Sequence, residues 1–347
     1  NCIQQIGVGV PDIDHAFRWF RNTFRIDVPV FDDEGEPVYM VSYTGGKLQR
    51  RHAILAANLQ GGSGFEIWQY LSRKPKAPES PLKLGDLGIN IAKVKASDAS
   101  AAYNILKTNE VDILGKLSRS PSGKTHFYVK DPFANIYQVI EDEHWFKKRG
   151  WITGGPCGCI IGVSDIDNSR QLYEDILGYK QVAYDETGHF DDFAALPGGN
   201  ERMRRVLLIP GEKPKGLFSR LIGPGQIELV QLLSRKPKKI FNNRYWGDLG
   251  FIHLCFDIHD MQGLKNVCNS KGFPFTADSS DAFDMGDASG HFSYIEDPDG
   301  TLIEFVETYK IPIIKKIGWY LDLKKRDPEK PLPDWMIRLL GLGRVKD

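Results

Sequence analysis

No stretch of this 347-residue chain approaches the ~20 consecutive apolar residues that cross a bilayer as a helix, and nothing at its start has the layout of a signal peptide. Charge of one sign is missing too. The 45 Lys and Arg balance the 45 Asp and Glu, so no net field points to nucleic acid or an anionic membrane, and a small molecule is the expected partner. Cysteine is scarce: Cys2, Cys157, Cys159, Cys255 and Cys268 are odd in number and too sparse for a disulfide framework, which points to a reducing, cytoplasmic compartment. Cys157-Gly158-Cys159 lacks both the C-x-x-C spacing and a second pair, so these thiols read as structural rather than metal-binding. The first residue is Asn1 rather than methionine, which leaves a removed N-terminal segment as an expectation.

What is present is ordinary for a globular protein, with 41% hydrophobic and 26% charged residues in a length that suggests two domains. It is also duplicated. Leu71-Ser72-Arg73-Lys74-Pro75 recurs as Leu233-Ser234-Arg235-Lys236-Pro237, and Gly85-Asp86-Leu87-Gly88 recurs as Gly247-Asp248-Leu249-Gly250, both at an offset of 162 residues. Asp12-Ile13-Asp14 likewise matches Asp165-Ile166-Asp167. The repeat predicts one domain over residues 1–150, a second over 151–310, and a basic, proline-bearing extension over 311–347. The extension carries Ile313, Ile314, Trp319, Leu321, Trp335, Ile337 and Leu340 as apolar anchors for packing over a domain, with a partner-binding or membrane-surface role as the alternative.

Each half divides again. A strand-like run opens each quarter, and a helix follows: one after Pro11-Asp12 with Ile13, Phe17, Phe20 and Phe24 on its apolar face, one over 97–107, one capped by Asp165 and stopped at Gly178, and one over 260–270. Strands are expected near 38–43, 52–57 and 65–71, then 125–130 and 135–140, then 193–196, 205–209 and 226–232. In the last quarter Asp297-Pro298-Asp299-Gly300 reads as a turn between two strands. The pattern is α+β, four βαβββ modules whose sheets would pair and curl into two cups. On the strand after that turn Glu304 points opposite to Ile303 and Phe305, and Glu228 and His253 show the same alternation with their apolar neighbours. A single such residue is commonly a solvated or hydrogen-bonded strand position.

The four modules, the openings GVPDID and GVSDID, the run GFIHLCFDI and the hairpin DPDGTLIEFVE resemble the vicinal oxygen chelate superfamily. That superfamily includes glyoxalase I, methylmalonyl-CoA epimerase, extradiol dioxygenases and antibiotic-resistance proteins. The resemblance covers residues 3–309 and implies a divalent metal ion, Zn, Fe, Mn or Ni, held in a cup by residues from first and last strands of modules. Carried over by position, it implies Glu228, His253 and Glu304 as ligands in the second half, with Gly158 at the fourth position. The first half holds Gln5, Glu66, Asn90 and Gln138 there, mostly neutral amides, and is expected to be degenerate. Gly158 would leave an open coordination position, or His291 or His189 would fill it. The resemblance implies two histidines and one carboxylate, with a histidine at position 158, for an extradiol dioxygenase, so Gly158 and Glu228 count against that reading and favour a lyase or isomerase of the glyoxalase or epimerase type. There Glu304 or Glu228 would take a proton beside a chelated carbonyl. An Fe(II) dioxygenase and a non-catalytic binding or resistance protein are the alternatives. Tyr245, Trp246, Phe283, His291 and Tyr294 are the expected pocket residues.

Overall fold

The computed structural model describes residues 2–280, 283–284, 289–314 and 318–345. The first module comprises β1 (Cys2–Gly9), α1 (Ile13–Phe24), β2 (Val28–Gly35), β3 (Arg51–Ala57) and β4 (Gly64–Tyr70). The second comprises β5 (Gly88–Ala96), α2 (Ala99–Thr108), β6 (Asp112–Arg119), β7 (Thr125–Lys130) and β8 (Ile136–Glu141). The third has β9 (Thr153–Gly162), α3 (Ile166–Asp175), β10 (Gln181–Gly188), β11 (Met203–Ile209), the short α4 (Ser219–Ile222) and β12 (Gln226–Leu232). The fourth has β13 (Gly250–Asp257), α5 (Met261–Ser270), the two-residue β14 (Ala277–Asp278) and β15 (Phe283–Asp284), β16 (Ser289–Glu296) and β17 (Leu302–Ile314). β18 (Trp319–Asp322) and α6 (Asp334–Leu339) follow.

The same local chemistry starts each module helix. Asp12, Asp98, Asp165 and Asp260 each accept a backbone N–H three residues on, satisfying a donor that the first turn leaves free. Two expected strands are absent: 38–43 is a 3-10 helix, and 193–196 begins at the end of another and continues as a turn. The strands that do stand there, β2 and β10, carry FDDEG and YDETG. They run along sheet edges, where one row of side chains meets water and the apolar alternation that marks a strand is lost.

The modules pair differently from the sequence halves. One sheet runs β14-β16-β17-β13-β1-β4-β3-β2, with β15 on β16 and β18 on β17; the other runs β10-β11-β12-β9-β5-β8-β7-β6. Module one therefore joins module four through antiparallel β1 and β13, and module two joins module three through β5 and β9. The division at residue 150 is a boundary of the repeat but not of the two curled sheets. The physical reason lies in the segments 71–87 and 233–249, each of which crosses from one sheet to the other. Arg73 of the first reaches Asp248 of the second at 2.6 Å, and Arg235 of the second reaches Asp86 of the first at 2.7 Å. The strongest repeats in the sequence thus clasp one another across the halves.

Helices of both sheets share one core, in which Phe20 packs against Phe65 at 4.6 Å between ring centroids and against Tyr137 at 5.7 Å. Smaller clusters line the opposite faces: Trp68, Trp246 and Tyr294 in the first sheet, Tyr128, Ile160 and Phe193 in the second. The extension begins inside β17. Its Ile311, Leu323, Leu332 and Ile337 pack on Val28, Leu59 and Leu221, while Trp319 and Trp335 are exposed; the side chains of Ile313 and Ile314 lie outside the described residues.

Candidate metal centre

β1, β4, β13 and β17 lie side by side and deliver four polar side chains to one point at the floor of the first cup. Gln5, Glu66, His253 and Glu304 are all buried, and the ligand-capable atoms of the last three lie within 4.8 Å of one another. The His253 Nε2 is 3.1 Å from Glu66 Oε2 and 3.2 Å from Glu304 Oε2. It is nevertheless without a hydrogen bond of acceptable angle. The Gln5 amide donates to Glu66 at 3.1 Å and Glu304 at 3.4 Å. On β1, Gly7 faces His253, and a Cβ there would lie 2.5 Å from the imidazole, so glycine makes the room that the ring occupies. Tyr294 donates to Glu304 Oε1 at 2.7 Å, its oxygen is 3.4 Å from His253 Nδ1, and Trp246 stacks on the imidazole at 6.4 Å.

Burial raises the Glu304 pKa, with the Glu66 charge adding to the rise and His253 opposing it. Burial opposes a charged His253, yet the two carboxylates prevail and raise its pKa. Two buried carboxylates around one imidazole are costly without a compensating cation. The donors fit a divalent ion. Carboxylate and imidazole suit Zn, Fe, Mn or Ni, Gln5 can turn its amide oxygen inward, and the orphaned Nε2 already aims at the shared point.

Glu228 is not part of this cluster. It sits in the second cup, where Lys93 Nζ lies 2.6 Å and Arg205 Nε 2.7 Å from its carboxylate. Burial alone would raise its pKa, but Arg205 and Lys93 outweigh burial and pull it down to about 2. Arg205 also pairs with Asp192 at 2.8 Å and lies 3.6 Å from the centre of the Phe193 ring. This cup is filled by its own salt bridges. Register relates the two cups directly: Gln5 corresponds to Gly158, Glu66 to Glu228 and Glu304 to Gln138. The expected match of Asn90 with His253 is corrected to Ile91. Ile91 faces Ile160 as His253 faces Gly7, and a bulge in β5 turns Asn90 into the neighbouring loop, where it accepts from Gly85 N at 2.6 Å. Nor is Gly158 an open coordination position, since a Cβ there would meet the Gln226 carbonyl at 2.0 Å and its counterpart Gln5 serves the other cup.

Of the expected pocket residues, Trp246 and Tyr294 line the cavity above the cluster. His291 is held by Asp278 at 2.6 Å, His189 lies by Asn200 in the other sheet, and Tyr245 packs on Arg73. None of these three lines the cavity. The Phe283 side chain lies outside the described residues. The role missed from sequence is that of Gln5 and Glu66, assigned to a degenerate half. The signal was complementarity, because the second half lacks the fourth donor that the first half has.

Comparison with known proteins agrees with this geometry at the level of fold. Residues 155–305 match the family described as Glyoxalase/Bleomycin resistance protein/Dioxygenase superfamily. Glyoxalase I from Zea mays is similar with a TM-score of 0.55 and 12% identity, covering 88% of this chain and 92% of that one. A candidate dioxygenase from Bacillus subtilis subsp. subtilis str. 168 is similar with a TM-score of 0.58 and 13% identity, covering 88% and 84%. At these identities the likeness is one of fold. No curated protein matches the sequence.

Proposed function

We propose that this chain, which has the two-domain fold of the vicinal oxygen chelate superfamily, is a metal-dependent lyase or isomerase that moves a proton beside the carbonyl of a small substrate. The observation that carries the reading is the convergence of Gln5, Glu66, His253 and Glu304 at the floor of an open cavity. A divalent ion held by these residues would polarise two neighbouring substrate oxygens and favour loss of the proton between them. The chain supplies the rest. Tyr294 holds one Glu304 oxygen, leaving the other directed to the shared point. From there Glu304 takes the proton from the hydroxyl-bearing carbon and the C–H electron pair shifts toward the carbonyl; the carboxyl then returns the proton to the former carbonyl carbon while the hydroxyl proton passes to the former carbonyl oxygen, so that carbonyl and hydroxyl exchange places. Gln5, Glu66 and His253 keep the donors in place, and Trp246 and Tyr294 exclude water from one side. Two carboxylates with one histidine support this reading over ring cleavage with dioxygen.

Metal analysis, an oxygen electrode and proton NMR in D2O test it together, with acetoin and benzoin as α-hydroxy ketone probes. The expected result is about one divalent ion per chain, loss of the α-proton signal and no oxygen uptake. Oxygen consumption coupled to ring cleavage of a catechol, or metal-loaded protein that exchanges no α-proton, would overturn the proposal.

A further inference from the structure

Above the metal centre lies a cavity of about 550 Å³, a size that holds a drug-sized ligand rather than a three-carbon one. Its walls are apolar on both sides. Trp68 and Phe292 rise from the sheet, Leu221 comes from α4, and Ile311 and Leu340 come from the extension that closes over the cup. Its charge is one-sided. Among the described residues that line it, Arg51 is the one cation, and Asp33 already holds it at 2.9 Å through the carboxylate and 2.8 Å through the carbonyl. Asp33, Glu34 and Glu36 border the cavity, and Glu66 and Glu304 face its floor, enough to offset a divalent ion there. Glu34 shares its charge with Arg50 at 2.6 Å, so among the described residues lining the cavity no cation is left free for a ligand.

We infer that the cup takes an uncharged α-oxygenated carbonyl compound with a bulky apolar remainder. Anionic thiol conjugates and acyl coenzymes are disfavoured by the charge of the described lining residues. An anionic tail would leave water for walls whose described residues offer no free cation to pair with it, at a desolvation cost that neutral side chains such as Ser63 and Thr308 do not repay. An apolar tail gains from the same walls. The inference rests on the proton-transfer reading for the head of the substrate and on the cavity alone for its body.

The test measures binding by quenching of tryptophan fluorescence, since Trp68 and Trp246 line the cavity, in metal-loaded full-length protein. The probes are benzoin, benzoin carrying a carboxylate on each ring, and acetoin. Benzoin should bind at least about ten times more tightly than either of the others. Glu36→Lys, an exposed position at the border, should improve binding of the dicarboxylate about threefold or more and leave benzoin unchanged. Leu340→Trp, at a partly exposed position, should weaken benzoin and not acetoin. Equal or tighter binding of the dicarboxylate, equal binding of acetoin, or no binding of benzoin would each overturn the inference. Exchange in D2O keeps the two readings apart. Benzoin bound without α-proton exchange would sink the reaction and leave the substrate class standing, whereas equal exchange on all three probes would do the reverse.

Discussion

Glu66 and Glu228 occupy equivalent positions on β4 and β12 and differ in what answers their charge. Lys93 and Arg205 reach Glu228 directly, so its cup is electrically complete, whereas Glu66 shares its surroundings with Glu304 and an imidazole. Glu66→Gln and His253→Ala should therefore reduce bound metal from about one ion per chain to below about a tenth, while Glu228→Gln leaves it in place, as elemental analysis would show. Metal retained by Glu66→Gln would remove Glu66 from the ligand set. Tyr294→Phe removes the hydrogen bond that orients Glu304 and should lower turnover about 10- to 100-fold with the metal still bound. The pH dependence belongs to Glu228. Its folded pKa of about 2 lies below its ordinary 4.5, so its contribution is fully present above 4.5 and is lost as pH falls from there toward 2. The contribution is on the order of 3 kcal/mol. Denaturant midpoints at pH 3 and pH 7 should converge in Glu228→Gln relative to the parent; an unchanged difference would show that the carboxylate is not held down in this way.

At the scale of elements, the two crossing segments explain both the topology and the sequence repeat. Asp248 accepts from Arg73, from Lys76 N at 2.7 Å and from Tyr245 N at 2.7 Å, with its side chain wholly buried. Asp248→Ala strands two backbone donors in a buried position and leaves the part-buried Arg73 guanidinium without its carboxylate, which costs about 2–4 kcal/mol. Thermal unfolding should begin several degrees lower, whereas Asp12→Ala at an exposed helix cap should cost only about 1 kcal/mol. Equal effects would reduce the clasp to an ordinary surface contact. The legibility of elements follows the same physics. Helices with aspartate caps and strands buried on both faces are marked in the sequence. The acidic edge strands β2 and β10 are not, because one side of each meets water and needs no apolar residue.

Across the whole molecule, the repeat and the functional unit have different boundaries. A fragment of residues 151–347 keeps His253 and Glu304 but lacks Gln5, Glu66 and the β1 strand on which β13 rests. Alone it should bind no divalent ion, and mixing with residues 1–150 should restore binding, read by elemental analysis after gel filtration. Full binding by the isolated fragment would overturn the cross-half site. Sequence alone determined the four modules, the helix caps, the DPDG hairpin and the facing of His253 and Glu304, because each depends on residues a few positions apart: a period of two, a cap and its first turn, a proline beside a glycine. It also contained all four donors. Which of them meet was decided only by tertiary structure, for the choice between pairing module one with module two or with module four is made by contacts between residues 175 positions apart, such as Arg73 and Asp248. Nothing in local periodicity reports such a contact. The same long-range pairing gave Glu228 to Lys93 and Arg205, and so made one cup a salt-bridged interior and left the other with carboxylates that a cation can answer.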